Sequence, residues 1–203
     1  MRKQSKIFLT KEGNNYFNRN KNKPFIKDNL FFEIKKYHSK KKIKKLIEIG
    51  CGQGHRLNLL NKELKINCYG IDPSSKAIKS NINSNIIIKK GTADKINFKS
   101  NYFDVAAFGF CLYLVDTNEL HKVFSETQRI MKKNSLIFIY DFFSKDSKIF
   151  RYKHNLKIKV HKYDFSKIFT WHPDFTLIKT KKFYMNDKKT SNNLLSISVI
   201  KKN

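Results

Sequence analysis

Short apolar runs alternate with stretches of helical periodicity through the middle of this chain. Runs of this length, bounded by polar or glycine-containing turns, are typical of β-strands. Those between residues 43 and 143 are Lys45–Ile49, Ile66–Asp72, Ile86–Ile88, Phe103–Phe110 and Leu136–Asp141. Because each run is almost continuously apolar, we expect both faces of each strand to be buried under helices. The sequence therefore predicts an α/β fold with a Rossmann-like, doubly wound and mostly parallel sheet.

Helices are predicted between these strands from the spacing of apolar residues. One helix is expected between Pro24 and His38, and another over about Thr117–Lys132. A third should begin at Pro73, because proline is favoured at or near the first helical position. Their expected buried residues are Ile26, Leu30, Ile34 and Tyr37 in the first helix and Leu120, Val123, Phe124 and Ile130 in the second.

The pattern changes after Phe143. Residues 144–173 are polar, aromatic-rich and irregular, whereas Phe175–Met185 and Asn193–Lys201 alternate polar and apolar residues. The last two segments, joined by a polar turn through Asp187–Ser191, predict an antiparallel hairpin at the edge of the sheet. We therefore divide the chain into an N-terminal lid and helix (1–42), a binding core (43–143), a substrate-facing insertion (144–173) and a hairpin that completes the same sheet (174–203).

The composition fits one basic domain. The 203 residues carry a formal charge of +27, which first suggests a nucleic-acid partner. However, only five of the 43 basic residues are Arg, the residue expected for bidentate recognition of phosphates and bases. A solvated lysine coat, reflecting coding bias, is the favoured interpretation, and a nucleic-acid surface stays open as the less favoured one.

Cysteine spacing and hydropathy argue against a disulfide-rich, metal-binding, secreted or membrane-spanning protein. Cys51, Cys68 and Cys111 show neither a disulfide framework nor metal-ligand spacing, so no metal site is predicted. The N-terminus lacks the apolar core of a signal peptide, and no apolar run is long enough to span a membrane. We expect a cytoplasmic protein without a membrane span, and make no prediction of its oligomeric state.

A glycine-rich turn after the first strand is the main candidate binding site. Gly50, Gly52 and Gly54 follow a strand that carries one acid, Glu48. A nicotinamide-binding turn needs its third glycine one place later, where this chain has His55. A carboxylate at Glu48 would repel a pyrophosphate but would favour a cationic or amine-bearing ligand.

Two further acids follow the next strands. Asp72, 22 residues after Gly50, ends the second strand and is suited to accept hydrogen bonds from ribose hydroxyls. Asp94 follows the third strand and could accept a bond from an adenine amino group. Together with Glu48, these acids favour a nucleoside that carries a positive charge and an amino acid, and S-adenosylmethionine meets that description.

Over residues 43–143 the chain resembles the class I S-adenosylmethionine-dependent methyltransferases of the small-molecule type. The run Phe108–Asp116 and the segments Arg151–His154 and Lys162–Phe169 look like a little-characterised bacterial subgroup, and Tyr16–Asn20 is similar to the start of methylases associated with nonulosonic sugars. The resemblance implies a set of cofactor-binding residues, from the methionine end to the adenine end: Glu48, Gly50, Cys51, Gly52, Phe110, Asp72, Pro73, Ala93 and Asp94.

Methyl transfer requires alignment of the acceptor and, for some nucleophiles, a general base. The candidates for a base are His154, Asp141 and Tyr113, with His161 also considered. His154 is the favoured base. The structural alternative is capping or loop anchoring for Asp141 and a surface position for each histidine. Cys111 lacks the preceding proline of cytosine-C5 enzymes and is interpreted as a buried thiol. Tyr16, Arg19, Tyr152 and His154 are the residues expected to contact the acceptor.

The favoured function is methylation of an O or N atom on a small molecule, with a sugar or other surface-polysaccharide precursor as a candidate acceptor. One alternative is an RNA or protein methyltransferase whose lysine coat guides the substrate. Another is a non-catalytic subunit that keeps the cofactor fold and activates a partner. A nicotinamide-dependent dehydrogenase is disfavoured by Glu48 and His55.

Overall fold

The computed structural model describes residues 4–185, 190 and 193–203. Its main sheet has seven strands: β1 Lys45–Ile49, β2 Asn67–Asp72, β3 Ile87–Lys90, β4 Phe103–Gly109, β5 Met131–Phe142, β8 Phe175–Tyr184 and β9 Leu194–Lys202. Their order across the sheet is β3-β2-β1-β4-β5-β9-β8. The first five strands of the order are parallel, and β9 is antiparallel to both β5 and β8. The predicted Rossmann-like α/β fold is confirmed.

Helices cover both faces of this sheet and one end of its strands. They are α1 Gln4–Ile7, α2 Gly13–Asn20, α3 Asn29–Lys40, α4 His55–Leu64, α5 Ser75–Lys79, α6 Leu120–Ile130 and α7 Lys167–Thr170. A π-helical stretch, Phe8–Glu12, joins α1 to α2, so that residues 4–20 form one N-terminal helical segment. Short 3₁₀ turns lie at Leu112–Leu114 and Thr117–Glu119.

The core is divided between the two faces of the sheet. On β1, Leu46 and Ile47 are both fully buried but belong to different apolar clusters, because successive side chains of a strand point to opposite faces. Phe138 lies in the cluster under α3 and α4, and Val123 lies in the cluster under α6. Burial on both faces explains why the parallel strands could be recognised as apolar runs.

Some predicted boundaries need correction. The helix expected from Pro24 begins at Asn29, because the Asp28 carboxylate caps it by accepting the Phe31 N–H at 3.0 Å. Ile26, expected to be buried in that helix, is 76% exposed. Pro73 lies outside α5, whose N-cap is Ser74.

The predicted helix to Lys132 is also too long. Helix α6 ends at Ile130, and β5 begins at the next residue, Met131. Within α6, Val123, Phe124 and Ile130 are buried as expected, whereas Leu120 is half-buried.

The region expected to be irregular contains regular structure. Strands β6 Lys148–Arg151 and β7 Lys159–Lys162 form a separate antiparallel hairpin. The C-terminal hairpin of β8 and β9 lies at the sheet edge as predicted. Its predicted turn, Asp187–Ser191, lies outside the described residues except for Thr190. Across the described ranges, no helix is long and apolar enough to cross a membrane.

Candidate functional site

The glycine turn after β1 is held against the neighbouring strands. The N–H groups of Gly50 and Cys51 both donate to the Ile71 carbonyl, at 2.8 and 3.2 Å. The φ angle of Gly50 is +75°, and a Cβ there would lie 2.5 Å from the Cβ of Cys111. Gly52 also has positive φ, at +58°, but a Cβ there would meet no atom within 4 Å. The turn is therefore closely packed at Gly50 and open at Gly52.

Asp72 joins this turn to the loop after β2. One carboxylate oxygen accepts the Gly52 N–H at 2.8 Å, and the other accepts the Ser74 N–H at 2.8 Å. Burial raises the pKa of Asp72 to about 6, while these two hydrogen bonds oppose the rise. The side chain fixes the relative positions of two loops that meet at the carboxyl ends of adjacent strands.

Glu48 is only 3% exposed and forms an ion pair with Arg56 of α4. Its other oxygen, Oε2, is buried and has no hydrogen-bond partner among the described residues. Burial raises the pKa of Glu48 to about 7 in spite of the neighbouring Arg56 cation. Arg56 was not identified from the sequence. The sequence did contain a signal for Arg56, because a cation in the first turn of a helix is opposed by the helix dipole and therefore indicates a specific partner.

Two adjoining cavities lie at the carboxyl ends of the strands. The first is bordered by loops after β2 and β3, including Pro73, Ala93 and Asp94. The second is bordered by the glycine turn and by Glu48 and Arg56. Gly13, Tyr16, Gly50, Asp72 and Phe110 line both cavities. The structure thus brings the predicted cofactor residues together along one continuous edge.

The N-terminal helical segment (residues 4–20) covers this edge. A Cβ on Gly13 would lie 3.1 Å from both the Pro73 carbonyl carbon and the Ser74 nitrogen. The Ser74 hydroxyl donates to Asn14 Oδ1 at 2.9 Å. At its start, the Gln4 amide donates to the Leu114 carbonyl at 3.0 Å. The segment is therefore fixed to loops that follow β2 and β4.

The residues expected at the acceptor form a cluster around Arg19. Its guanidinium donates to Tyr152 Oη at 3.0 Å and to Glu12 Oε1 at 2.6 Å, and it lies 6.0 Å from the centre of the Tyr16 ring. Tyr16 is hydrogen-bonded to Tyr113, and burial raises the pKa of both phenols. Both are therefore protonated at neutral pH. Glu12, buried beneath Arg19, was not identified from the sequence.

Asp141 is fully buried beside the loop after β4. Its carboxylate accepts the N–H groups of Leu112 at 2.9 Å, Tyr113 at 3.3 Å and Phe142 at 2.8 Å. Burial raises its pKa to about 7. These contacts are those of a residue that anchors a loop, which was the structural alternative for Asp141.

Among the predicted acceptor and base residues, Tyr16 lines both cavities, whereas the others lie outside both linings as far as the chain is described: Arg19, Tyr113, Asp141, Tyr152 and His154. Arg19 and His154 are also exposed, and the His154 ring packs on Tyr152 at 5.2 Å. His161 is buried at 3% exposure, and neither ring nitrogen has a hydrogen-bond partner in the described structure. Phe110, in contrast, lines both cavities from a backbone position with φ of +54°.

The chain is similar to known proteins in sequence and in fold. The family described as "Methyltransferase domain" matches residues 47–139. Among curated proteins, no match is found.

Solved structures with the same fold include three that illustrate its range. The 1,6-didemethyltoxoflavin-N1-methyltransferase of Burkholderia thailandensis has a TM-score of 0.75 at 8% identity, over 100% of this chain and 91% of that chain. A putative methyltransferase of Haloferax volcanii, solved in complex with the Trm112 activator, has a TM-score of 0.68 at 13% identity, over 94% of this chain and 96% of that chain. An S-adenosylmethionine-dependent methyltransferase of Methanosarcina mazei has a TM-score of 0.62 at 18% identity, over 78% of this chain and 92% of that chain.

Proposed function

Since residues 47–139 match a methyltransferase domain and the chain has the fold of S-adenosylmethionine-dependent methyltransferases, we propose that it transfers the cofactor's methyl group to an O or N atom of a small molecule. The domain type confirms the cofactor expected from the sequence. The residues that bind the cofactor and the identity of the acceptor belong to the proposal.

The cofactor is proposed to lie along both cavities, with its methionine part in the second cavity and its adenine in the first. Glu48 Oε2, which is free of protein partners in the described structure, would accept the α-ammonium group. Asp72, on the border of the two cavities, would accept the ribose hydroxyls, and Asp94 would accept the adenine amino group. Phe110 would lie beside the methyl group.

The observation that carries the small-molecule proposal is the covering of the cavities by the N-terminal helical segment. Gly13 and Asn14 lie directly on the loop after β2, and Arg19 is bonded to Tyr152 of the insertion. An acceptor that reaches the cofactor's methyl group beside Phe110 would have to approach past this segment, which would leave little room for a folded RNA or protein. The Burkholderia neighbour, solved with bound 1,6-didemethyltoxoflavin, gives secondary support because its fold covers the whole of this chain.

Alignment is the main catalytic contribution that we propose. Tyr16 would orient the acceptor with its protonated phenol as a hydrogen-bond donor, since the Tyr113 hydroxyl is already engaged with Tyr16. Arg19 and Tyr152, which are bonded to each other next to Tyr16, would contact the acceptor from outside the cavities. The assignment of His154, Asp141 or Tyr113 as the general base remains a prediction. The raised pKa of Tyr113 makes it a poorer base at neutral pH.

Two measurements test the proposal. Calorimetry should show binding of S-adenosylmethionine, with Asp72→Ala weakening it about tenfold or more and the exposed Asp146→Ala leaving it unchanged. Transfer of a labelled methyl group to the small-molecule fraction of a cell extract, including sugar precursors, should then be detected. Unaltered binding by Asp72→Ala would contradict the site. Label found only in RNA or protein, or no transfer by a protein that binds the cofactor, would contradict the small-molecule function.

A further inference from the structure

A chain of ion pairs connects Glu48 to a part of the molecule outside the glycine turn. Arg56 contacts Glu48 with Nη1, and its Nη2 lies 2.5 Å from Asp28 Oδ2. Arg56 Nε also donates to Asp28 Oδ1 at 3.2 Å, so the Asp28 pair is bidentate. Asp28 is the N-cap of α3, at the end of the connector (residues 21–28) that follows the N-terminal helical segment.

The guanidinium occupies a site built to hold it. A Cβ on Gly109 of β4 would lie 2.7 Å from Arg56 Nη1, so a larger residue there would displace the side chain. The ring of Phe25 in the connector lies 5.6 Å from Arg56 Cζ, within the range of a cation–π contact. This site holds a cation in the first turn of α4, where the helix dipole disfavours it. A favourable interaction must therefore offset the unfavourable helix dipole at Arg56.

The ion pair with Glu48 is that interaction. One of the Glu48 oxygens is held by Arg56, whereas Oε2 is left without a partner in the described structure and the side chain lines the second cavity. A carboxylate held by one oxygen has a fixed orientation for the other. A buried carboxylate must also be ionised if it is to attract an ammonium group.

We propose that Arg56 is a positioning residue that keeps Glu48 ionised and turned toward the α-ammonium group of the cofactor, and that Asp28 fixes Arg56 in this role. The inference rests on the proposed function, because it assigns the methionine part of the cofactor to the second cavity. It also links the connector of the N-terminal helical segment to cofactor binding.

The charged groups around Glu48 determine its pH dependence. Arg56 of α4 favours the ionised form, while Asp28 of the connector and Asp72 of β2 oppose it. Removing the Arg56 cation would leave a buried acid near two other acids. Its pKa would then rise above its present value of about 7, so Glu48 would be neutral at physiological pH and regain its charge only in more alkaline solution.

The test compares two ligands that differ in the amino-acid part. S-adenosylhomocysteine carries the α-ammonium group, whereas 5′-methylthioadenosine has a methyl group on sulfur in place of the amino-acid part. We expect Arg56→Gln to weaken S-adenosylhomocysteine binding about tenfold near neutral pH and to change 5′-methylthioadenosine binding less than about twofold. Arg56→Lys, which keeps the charge, should restore most of the loss.

Two further readouts distinguish positioning from general support of the fold. The ratio of the Arg56→Gln Kd to the wild-type Kd for S-adenosylhomocysteine should fall toward one as the pH rises. Titration of the ligand affects both Kd values equally and cancels in this ratio. In a Glu48→Gln background, Arg56→Gln should have no additional effect on binding. Asp28→Asn removes the bidentate partner that fixes Arg56 but also a charge that opposes ionisation of Glu48, so we expect a smaller loss of binding than for Arg56→Gln, and one that does not diminish as the pH rises.

Equal weakening of both ligands, a Kd ratio independent of pH, or additive effects in the double variant would each overturn the inference. Failure of the wild-type protein to bind S-adenosylhomocysteine would instead contradict the proposed function. A melting temperature measured for each variant shows whether it is folded, and Arg56→Lys provides a folded comparison if Arg56→Gln is not stable.

Discussion

Gly50 and Gly52 both have left-handed backbone dihedrals, but their surroundings differ. A Cβ at Gly50 would overlap that of Cys111 at 2.5 Å, whereas a Cβ at Gly52 would meet open space. We expect Gly50→Ala to destabilise the fold by about 2–4 kcal/mol, combining backbone strain with overpacking, and Gly52→Ala by only about 1 kcal/mol. Denaturant unfolding of the two variants measures the difference. Equal losses would contradict the close packing at Gly50.

Asp141 and His154, two candidate bases, should differ in their effect on the free energy of unfolding. The Asp141 carboxylate accepts three backbone N–H groups, so replacing it by Asn puts an amide donor against other donors. We expect Asp141→Asn to lower the free energy of unfolding by about 1–3 kcal/mol, and the exposed His154→Ala to leave it nearly unchanged. An Asp141→Asn protein of normal stability that has lost methyl transfer would contradict loop anchoring and favour catalysis.

At the scale of elements, the contact between α2 and the loop after β2 controls closure of the site. Gly13 allows this contact, since a Cβ there would lie 2.8 Å from the Phe8 carbonyl oxygen of the segment itself and 3.1 Å from two backbone atoms of the loop. We expect Gly13→Val to push the helical segment away and to weaken cofactor binding several-fold, while Asn18→Ala, on the exposed side, has no effect. Calorimetry together with proteolysis of the segment tests this expectation, and unchanged binding in Gly13→Val would contradict a role in closure.

The elements differ in how well the sequence predicts them. Strands such as β1 and β4 are buried on both faces, so their residues form apolar runs that can be recognised directly. Strand β6 was missed because Ile149 and Phe150, which are adjacent, are both exposed and therefore show no alternation. Helix α3 was predicted to start too early because an apolar residue, Ile26, continued its pattern in front of the Asp28 cap.

Strand topology also determines which parts of the site the sequence predicts. Glu48, Asp72 and Asp94 could be assigned to one edge because the carboxyl ends of parallel strands meet there. Arg56 and Asp28 could not be paired, since 28 residues separate them and only the folded chain brings them together. Long-range contacts between side chains leave no periodic pattern in the sequence.

For the whole molecule, the charge of +27 raises the question of nucleic-acid binding. Lysines bind phosphates as point charges, so a dispersed coat gives weak and nonspecific attraction. We expect RNA to bind with Kd above about 1 μM at physiological salt. Fluorescence titration over a range of salt concentrations measures this affinity. Tighter binding that weakens steeply with added salt would favour the RNA alternative over the small-molecule function.

Buried acids should also set the pH dependence of stability. Burial raises the pKa of Asp72 to about 6 and of Asp141 to about 7, whereas both acids would ionise near pH 4 in the unfolded chain. Between these values the folded state binds more protons than the unfolded state. The contribution of these two groups to the free energy of unfolding should therefore be complete below about pH 4 and should decrease as the pH rises toward 7.

The cofactor-free protein is thus expected to melt at a higher temperature near pH 5 than near pH 7.5, at constant ionic strength. Asp72→Asn combined with Asp141→Asn removes both titrating groups, so the melting temperature of the double variant should depend less on pH, even though the variant is less stable overall. The other ionisable groups are common to both proteins, and Glu48, whose pKa the Asp72 carboxylate raises, would shift in the same direction, toward a weaker pH dependence in the double variant. An identical pH dependence in wild type and double variant would show that these two carboxyls do not keep their protons in the fold.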